Sequence, residues 1–153
     1  ELKQWADESV GYFWTFTRSQ LYAEPQRLTQ HGLLSEHQEQ TGRRKRIFAI
    51  TELGRAALKH WLSEQAGFPE LRDLGLLKLF FISQAEDKSL FLLATEQLAL
   101  HQARLSTYQK LQTTHQPQDG AHSTLRMGFL YEQASIAFWS EVLDQQKAEE
   151  KKP

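Results

Sequence analysis

Two stretches decide the fold: TRSQLYAEPQRLTQHGLL (residues 17–34) and GRRKRIFAITELGRAALKHWL (residues 42–62). In the first, Thr17 is a favourable N-cap residue, with Thr15 as an alternative, for a helix over about 18–30. Gly32 follows as a C-terminal stop, because glycine adopts the left-handed conformation that ends many helices. The first stretch therefore predicts one helix of three to four turns.

This helix has two different sides. At 100° per residue, Leu21, Pro25 and Leu28 fall on one side. A small and polar set falls opposite, namely Ser19, Tyr22, Ala23, Gln26 and Gln30. Pro25 removes the amide donor that would bond to the Leu21 carbonyl, so we expect a kink or a late helix start. The pattern suits a helix inserted into a groove and also an ordinary surface helix.

The second stretch predicts a hairpin followed by another helix. Two short apolar–polar runs, at 33–37 and 46–50, flank a turn at Gly42. Thr51 can then cap a helix from residue 52 to about 65. Helix, two-stranded hairpin and helix in this order are typical of the latter part of a winged helix-turn-helix domain.

The rest of the chain is predicted to be helical. Gly67 and Pro69 mark a boundary, so we expect a domain over 1–66 and a second over 67–153. The expected helices of the second domain cover 69–83, 86–114 and 124–147. The fold class is thus mainly α with a small β-hairpin.

The last predicted helix carries two apolar stripes, which is more than one small core needs. The surplus indicates a second packing partner, most simply another copy of the chain. The expected dimer interface consists of Leu125, Phe129, Ile136, Trp139 and Leu143. The second stripe consists of Met127, Leu130, Tyr131, Ala134, Phe138 and Val142.

Positive charge is concentrated at one place. The whole chain of 153 residues has a formal charge of −1, yet residues 41–60 hold six Lys or Arg against one Glu. Four of these cations are adjacent: Arg43, Arg44, Lys45 and Arg46. A solvated turn would explain them, but at a hairpin tip after a candidate recognition helix they favour contact with DNA phosphates or a narrow minor groove.

Several other classes of function are disfavoured. The absence of Cys excludes disulfides and Cys-based metal or haem sites, and it fits a cytoplasmic setting. No apolar run is long enough to span a membrane, and we expect no membrane association. The six His form no paired metal-binding motif, and no Gly-x-Ser-x-Gly or phosphate-binding loop occurs. We therefore expect no metal, no cofactor and no enzymatic activity.

Residues 8–62 resemble the PadR family of transcriptional regulators. The resemblance is carried by GYFW (11–14), SQLYAE (19–24), HGLL (31–34), GRRKR (42–46) and FAITELGR (48–55). The second half is similar to the longer helical C-terminal domain found in part of that family. The chain departs from the family at Pro25 and Arg44, and it begins within what resembles the second helix, so the first helix is expected to be missing.

The resemblance implies a ligand-responsive repressor that acts as a homodimer on a pseudo-palindromic operator of double-stranded DNA. The DNA-binding residues would be Arg18, Ser19, Gln20, Tyr22, Gln26 and Arg27, with Arg43 to Arg46 of the hairpin. A small aromatic effector could contact Phe91, Met127, Tyr131 and Trp139, which are otherwise core residues. The alternative is a protein-interaction module, a winged helix that no longer binds DNA.

Overall fold

A computed structural model describes residues 2–7, 9–14, 16–39, 44–86, 88–112 and 120–149. The predicted positions Thr15, Gly42 and Arg43 lie outside this described part, as do residues 116–119 of the segment 116–120, which the sequence predicts to be a loop. The chain divides into two compact units, Glu1–Pro69 and Glu70–Pro153. Each unit is described separately below.

The first unit contains the predicted helix–hairpin–helix. Its elements are α1 (Leu2–Asp7), a short 3₁₀ helix (Val10–Tyr12), α2 (Arg18–Gln30), β1 (Leu34–Gln38), β2 (Arg46–Ile50) and α3 (Glu52–Trp61). The helix over 18–30 is confirmed, and Gly32 after it has a φ of 72°. The prediction that α3 extends to about residue 65 is wrong, because the Ser63 hydroxyl and amide both bond to the His60 carbonyl and tighten the last turn.

Helix α2 starts where its cap dictates. The Thr17 hydroxyl accepts from the Gln20 amide at 3.2 Å, and the Gln20 side chain accepts from the Thr17 amide at 2.9 Å. This reciprocal arrangement is a capping box, which satisfies two amide donors that the helix leaves free. The expected late start is therefore wrong, and the helix continues through Pro25 to Gln30.

The hairpin is anchored at its base by the main chain. The Thr51 amide donates to the Leu33 carbonyl at 3.1 Å, and the Thr51 hydroxyl donates to the Gly32 carbonyl at 2.7 Å. Gly54, in the first turn of α3, is buried against the same place, and a Cβ there would lie 2.1 Å from the Leu33 oxygen. Only glycine permits this approach, so α2's exit, the hairpin and α3 meet at one close-packed junction.

All the regular elements in the described part of the second unit are helices. It consists of α4 (Leu74–Phe80), a 3₁₀ turn (Ile82–Gln84), α5 (Ser89–Leu111) and α6 (Gly120–Glu149). Asp73 caps α4 by accepting from the Leu76 amide at 3.0 Å. Helix α6 begins at Gly120, four residues before the predicted start at 124. The segment 120–123, Gly-Ala-His-Ser, contains no Pro that would prevent the earlier start.

The core of the second unit lies between α5 and α6. Leu93 and Ala94 of α5 pack with Trp139 and Leu143 of α6, and each of the four is buried. Further along, the Tyr108 and Phe129 rings lie with centroids 6.2 Å apart. A Cβ on Gly128 would lie 2.9 Å from Tyr108, so this glycine leaves room for the ring.

This packing corrects the expected dimer interface. Phe129, Trp139 and Leu143 are buried within the chain, and Leu125 and Ile136 are half-buried there. Periodicity identifies an apolar stripe but not the helix that covers it, and the covering helix is the chain's own α5. The second stripe is the more exposed one, with Met127, Leu130 and Phe138 open to solvent.

Candidate nucleic-acid interface

Helix α2 presents a polar side to solvent. All six of its candidate DNA-binding side chains are exposed: Arg18, Ser19, Gln20, Tyr22, Gln26 and Arg27. On the other side, Leu21, Pro25 and Leu28 are half-buried, as the periodicity predicts. The sequence folds this way because the half-buried side chains supply the contact with the rest of the unit while the capping box fixes the start of the helix.

Gln20 is exposed but already engaged. Its amide oxygen accepts from both the amide and the hydroxyl of Thr17, at 2.9 and 3.0 Å. Reading adenine needs that same oxygen as an acceptor together with the side-chain NH₂ as a donor. Gln20 could therefore read a base edge only by giving up the capping box, and its primary role is to start the helix.

The remaining α2 candidates differ in how free they are. Arg27 pairs with Glu24 at 2.8 Å, one turn earlier on the same exposed face. The Ser19 hydroxyl lies 3.0 Å from that of Thr17. Tyr22, in contrast, is 63% exposed and lies in the middle of the polar side, so its ring and hydroxyl are available to a ligand.

On the hairpin, Arg46 is held by a carboxylate. Its Nε and Nη2 donate to Glu36 at 2.5 and 2.8 Å, and its guanidinium lies 5.3 Å from the centre of the Phe48 ring. The hydrogen bond from Arg46 lowers the pKa of Glu36 below its ordinary value, and the same bond raises the pKa of Arg46 above its own ordinary value. Both groups are therefore charged at neutral pH, and they neutralise each other.

The other described cations lie nearer the turn. Arg44 is exposed and has a φ of 47°, a left-handed conformation that proline, with its φ fixed at about −65°, could not adopt. Lys45 is exposed, and its carbonyl accepts from the Glu39 amide at 3.0 Å, which continues the pairing past β1. Arg44 and Lys45 are thus the described cations at the turn end of the hairpin, and both are exposed.

The candidate effector residues differ in exposure. Phe91, Met127 and Tyr131 are exposed, but Trp139 is only 1% exposed and belongs to the α5–α6 core. Trp139 is therefore a core residue that offers almost no surface to an effector. An open groove of about 510 Å³ between α4 and α5 is lined by none of the four.

Sequence reasoning missed a buried polar pair between α5 and α6. Glu132 is 2% exposed and its carboxylate lies 2.5 Å from Nδ1 of His101. Beside it, the Tyr131 hydroxyl donates to Asp73 at 3.4 Å, and burial followed by the Asp73 charge raises the pKa of Tyr131 above 10.0. The signal was present, since Glu132 lies in an apolar stripe and His101 in the heptad that links Ala94 to Tyr108.

Two classes of site are not found in the described residues. No three His, Cys, Asp or Glu side chains there are grouped to bind a metal ion. No described helix has the length and apolar content needed to cross a membrane.

Comparison with known proteins assigns both halves of the chain. Residues 1–60 match the Transcriptional regulator PadR-like family, and residues 71–147 match the family Virulence activator alpha C-term. The Negative transcriptional regulator PadR of Bacillus subtilis is 30% identical over 124 residues, which are 76% of this chain and 68% of that protein.

Solved structures agree over nearly the whole chain. Bacillus subtilis PadR in complex with operator DNA has a TM-score of 0.79 at 27% identity and covers 94% of this chain and 87% of its own. The Vibrio cholerae virulence activator AphA has a TM-score of 0.69 at 26% identity, and the match covers 96% of this chain and 87% of the AphA chain. These relatives regulate transcription and are not enzymes, which agrees with the expectation from the sequence. The chain belongs to the PadR-like family of transcriptional regulators.

Proposed function

We propose that this regulator is a homodimeric repressor that binds a pseudo-palindromic operator and responds to a small aromatic acid. The observation that carries the proposal is the fully exposed polar side of α2, in the same unit as a hairpin whose end is basic. The solved complex of Bacillus subtilis PadR with operator DNA supports it, since that chain shares the fold and 27% of its residues with this one.

Within the DNA-binding unit, the roles follow from the chemistry and the position of each exposed side chain. Tyr22 and Gln26 are exposed in the middle of α2 and are placed to contact bases or the backbone. Arg18, Arg44 and Lys45 bring positive charge that attracts phosphates independently of sequence. Specificity therefore rests on α2, and salt-dependent affinity rests on the flanking cations.

The dimer would form through the second unit. Exposed apolar side chains surround the α4–α5 groove, and Leu74, Leu77 and Leu92 lie along it. Next to them, the rings of Phe80 and Phe81 pack edge to face with their centroids 5.0 Å apart. Each of the five is more than half exposed. Large exposed apolar patches on soluble proteins mark interaction sites, and a second copy of the chain would cover this one.

The effector class is inferred from a relative. Bacillus subtilis PadR has been solved in complex with p-coumaric acid, a planar aromatic carboxylic acid. Of the four expected contacts, Phe91, Met127 and Tyr131 have accessible surface for such a ligand, and Trp139 does not. We therefore propose an aromatic acid as effector without participation of Trp139.

DNA binding is tested by fluorescence anisotropy with a duplex from upstream of the chain's own gene and an unrelated duplex of equal length. We expect tighter binding to the first and a loss of that preference when Tyr22 is replaced by Ala. Addition of p-coumaric acid should release the specific duplex. Equal affinity for both duplexes would contradict an operator-binding repressor and favour a protein-interaction module.

The dimer surface is tested by light scattering on Leu77→Glu. A charge in the centre of the α4 patch should produce monomers and weaken operator binding, because two half-sites are then no longer held together. Leu130→Glu, which places the same charge on the exposed stripe of α6, is the matched comparison. Dissociation by Leu130→Glu but not by Leu77→Glu would place the interface on α6 instead.

A further inference from the structure

We propose that Glu36 limits the DNA affinity of the hairpin by holding Arg46 in an intramolecular pair, so that Arg46 makes no phosphate contact. The inference rests on the proposed DNA-binding function and adds a residue that opposes it. It also removes one of the four adjacent cations from the set available to DNA.

The pair is built into the hairpin register. Ladder partners are Gln38 with Arg46 and Glu36 with Phe48, so all four side chains lie on the same face of the two strands. Arg46 reaches diagonally to Glu36 and bonds through two nitrogens to two different carboxylate oxygens. This fork geometry is the strongest form of an Arg–carboxylate contact, and the Phe48 ring beneath the guanidinium adds a cation–π interaction.

A second pair in the same unit shows the contrast. Arg27 bonds to Glu24 through a single oxygen, Oε2, and these side chains are 61% and 48% exposed. In the hairpin pair the exposed fractions fall to 40% for Arg46 and 29% for Glu36. An exposed, single-oxygen pair exchanges readily with solvent or phosphate, whereas the forked and partly covered pair holds its partner.

The pair therefore presents no net charge where the sequence suggests a cation. A phosphate that approaches Arg46 on this face also approaches the Glu36 carboxylate, which repels it. Because phosphate contacts carry no sequence information, Glu36 lowers the affinity for every duplex alike. Its effect is to keep non-specific binding low without touching the α2 residues that select a sequence.

The test measures the salt dependence of binding to an unrelated duplex in the complete chain. Glu36→Gln should free Arg46 for a phosphate and steepen the slope of log affinity against log salt by about 0.9. The ratio of the variant's affinity to the parent's affinity should therefore be about 3.5-fold smaller at 200 mM salt than at 50 mM salt. Glu36→Gln/Arg46→Gln should return to the parent slope.

Glu24→Gln is the matched control, because it removes the same charge from the same unit without releasing a forked arginine. An equal steepening in both single variants would mean a general charge effect and would overturn the inference, as would an unchanged slope in Glu36→Gln. If Glu36→Gln fails to fold, as judged by circular dichroism, Arg46→Gln decides: the parent slope supports the inference, and a slope flatter by about 0.9 contradicts it. A parent chain that binds no duplex would refute the proposed function itself.

Discussion

Replacement of Glu132 by Leu is expected to lower the free energy of unfolding by about 3 kcal/mol, because it strands His101 in the α5–α6 interface. The two side chains are 2% and 14% exposed, and the carboxylate lies 2.5 Å from the ring nitrogen, so solvent cannot replace the lost partner. The lower end of the usual range of about 3–5 kcal/mol applies, since one hydrogen bond, at 2.5 Å, joins the two side chains. The midpoint of thermal unfolding should fall by about 6–12 °C.

The assay is urea unfolding followed by circular dichroism at 222 nm, with a double-mutant cycle. Glu132→Leu/His101→Leu should recover most of the loss, because two apolar side chains of similar volume can pack where the pair was. Glu141→Leu, on the exposed side of the same helix, should stay within about 0.5 kcal/mol of the parent. Single losses that simply add in the double variant would refute the reasoning, as would a Glu132→Leu protein as stable as the parent.

Gly54→Ala should destabilise the first unit by about 3 kcal/mol, as its Cβ would meet the Leu33 oxygen at 2.1 Å, and a melting temperature equal to the parent's would contradict the close packing. Gln20→Ala should weaken binding to operator and unrelated duplexes equally, because it removes the capping box of α2. If anisotropy shows a loss of affinity for the operator alone, Gln20 instead reads a base. The Glu36 carboxyl should titrate below 4.5 by NMR, so that the pair's contribution to stability is complete above that pH and disappears as pH falls through the lowered pKa. Tyr131 should ionise above 10.0 in a spectrophotometric titration, and because the unfolded chain loses this proton first, stability should decline as pH rises past 10.0; an ordinary midpoint would mean that its ring is not desolvated.

Local signals account for what the sequence predicts well. Thr17 and Thr51 cap their helices by accepting from the amides of Gln20 and Gly54, three residues further on. Gly32 lies two residues past the end of α2, so the bounds of α2 and the start of α3 follow from the local sequence. The hairpin strands are predicted for the same reason, since alternation and turn residues are local. The exposed polar side of α2 then follows from helical geometry alone.

Nonlocal contacts account for the features that the sequence does not predict. Nothing in the spacing of Leu125, Phe129 and Trp139 distinguishes a cover by α5 from a cover by a second chain. The pairing of Arg46 with Glu36 depends on a register that only the folded hairpin defines, so four adjacent cations in the sequence overstate the accessible charge. Both cases concern which neighbour a side chain meets, and not which element it belongs to.

The junction of Gly32, Leu33, Thr51 and Gly54 has an evolutionary consequence. The relative position of α2 and the hairpin is held there mainly by carbonyls, amides, a hydroxyl and the absence of a Cβ. The solvent-facing side chains of α2 take no part in that junction. They are accordingly free to drift toward a new operator while the frame that carries them stays the same, so one architecture can serve many DNA sequences with few compensating changes.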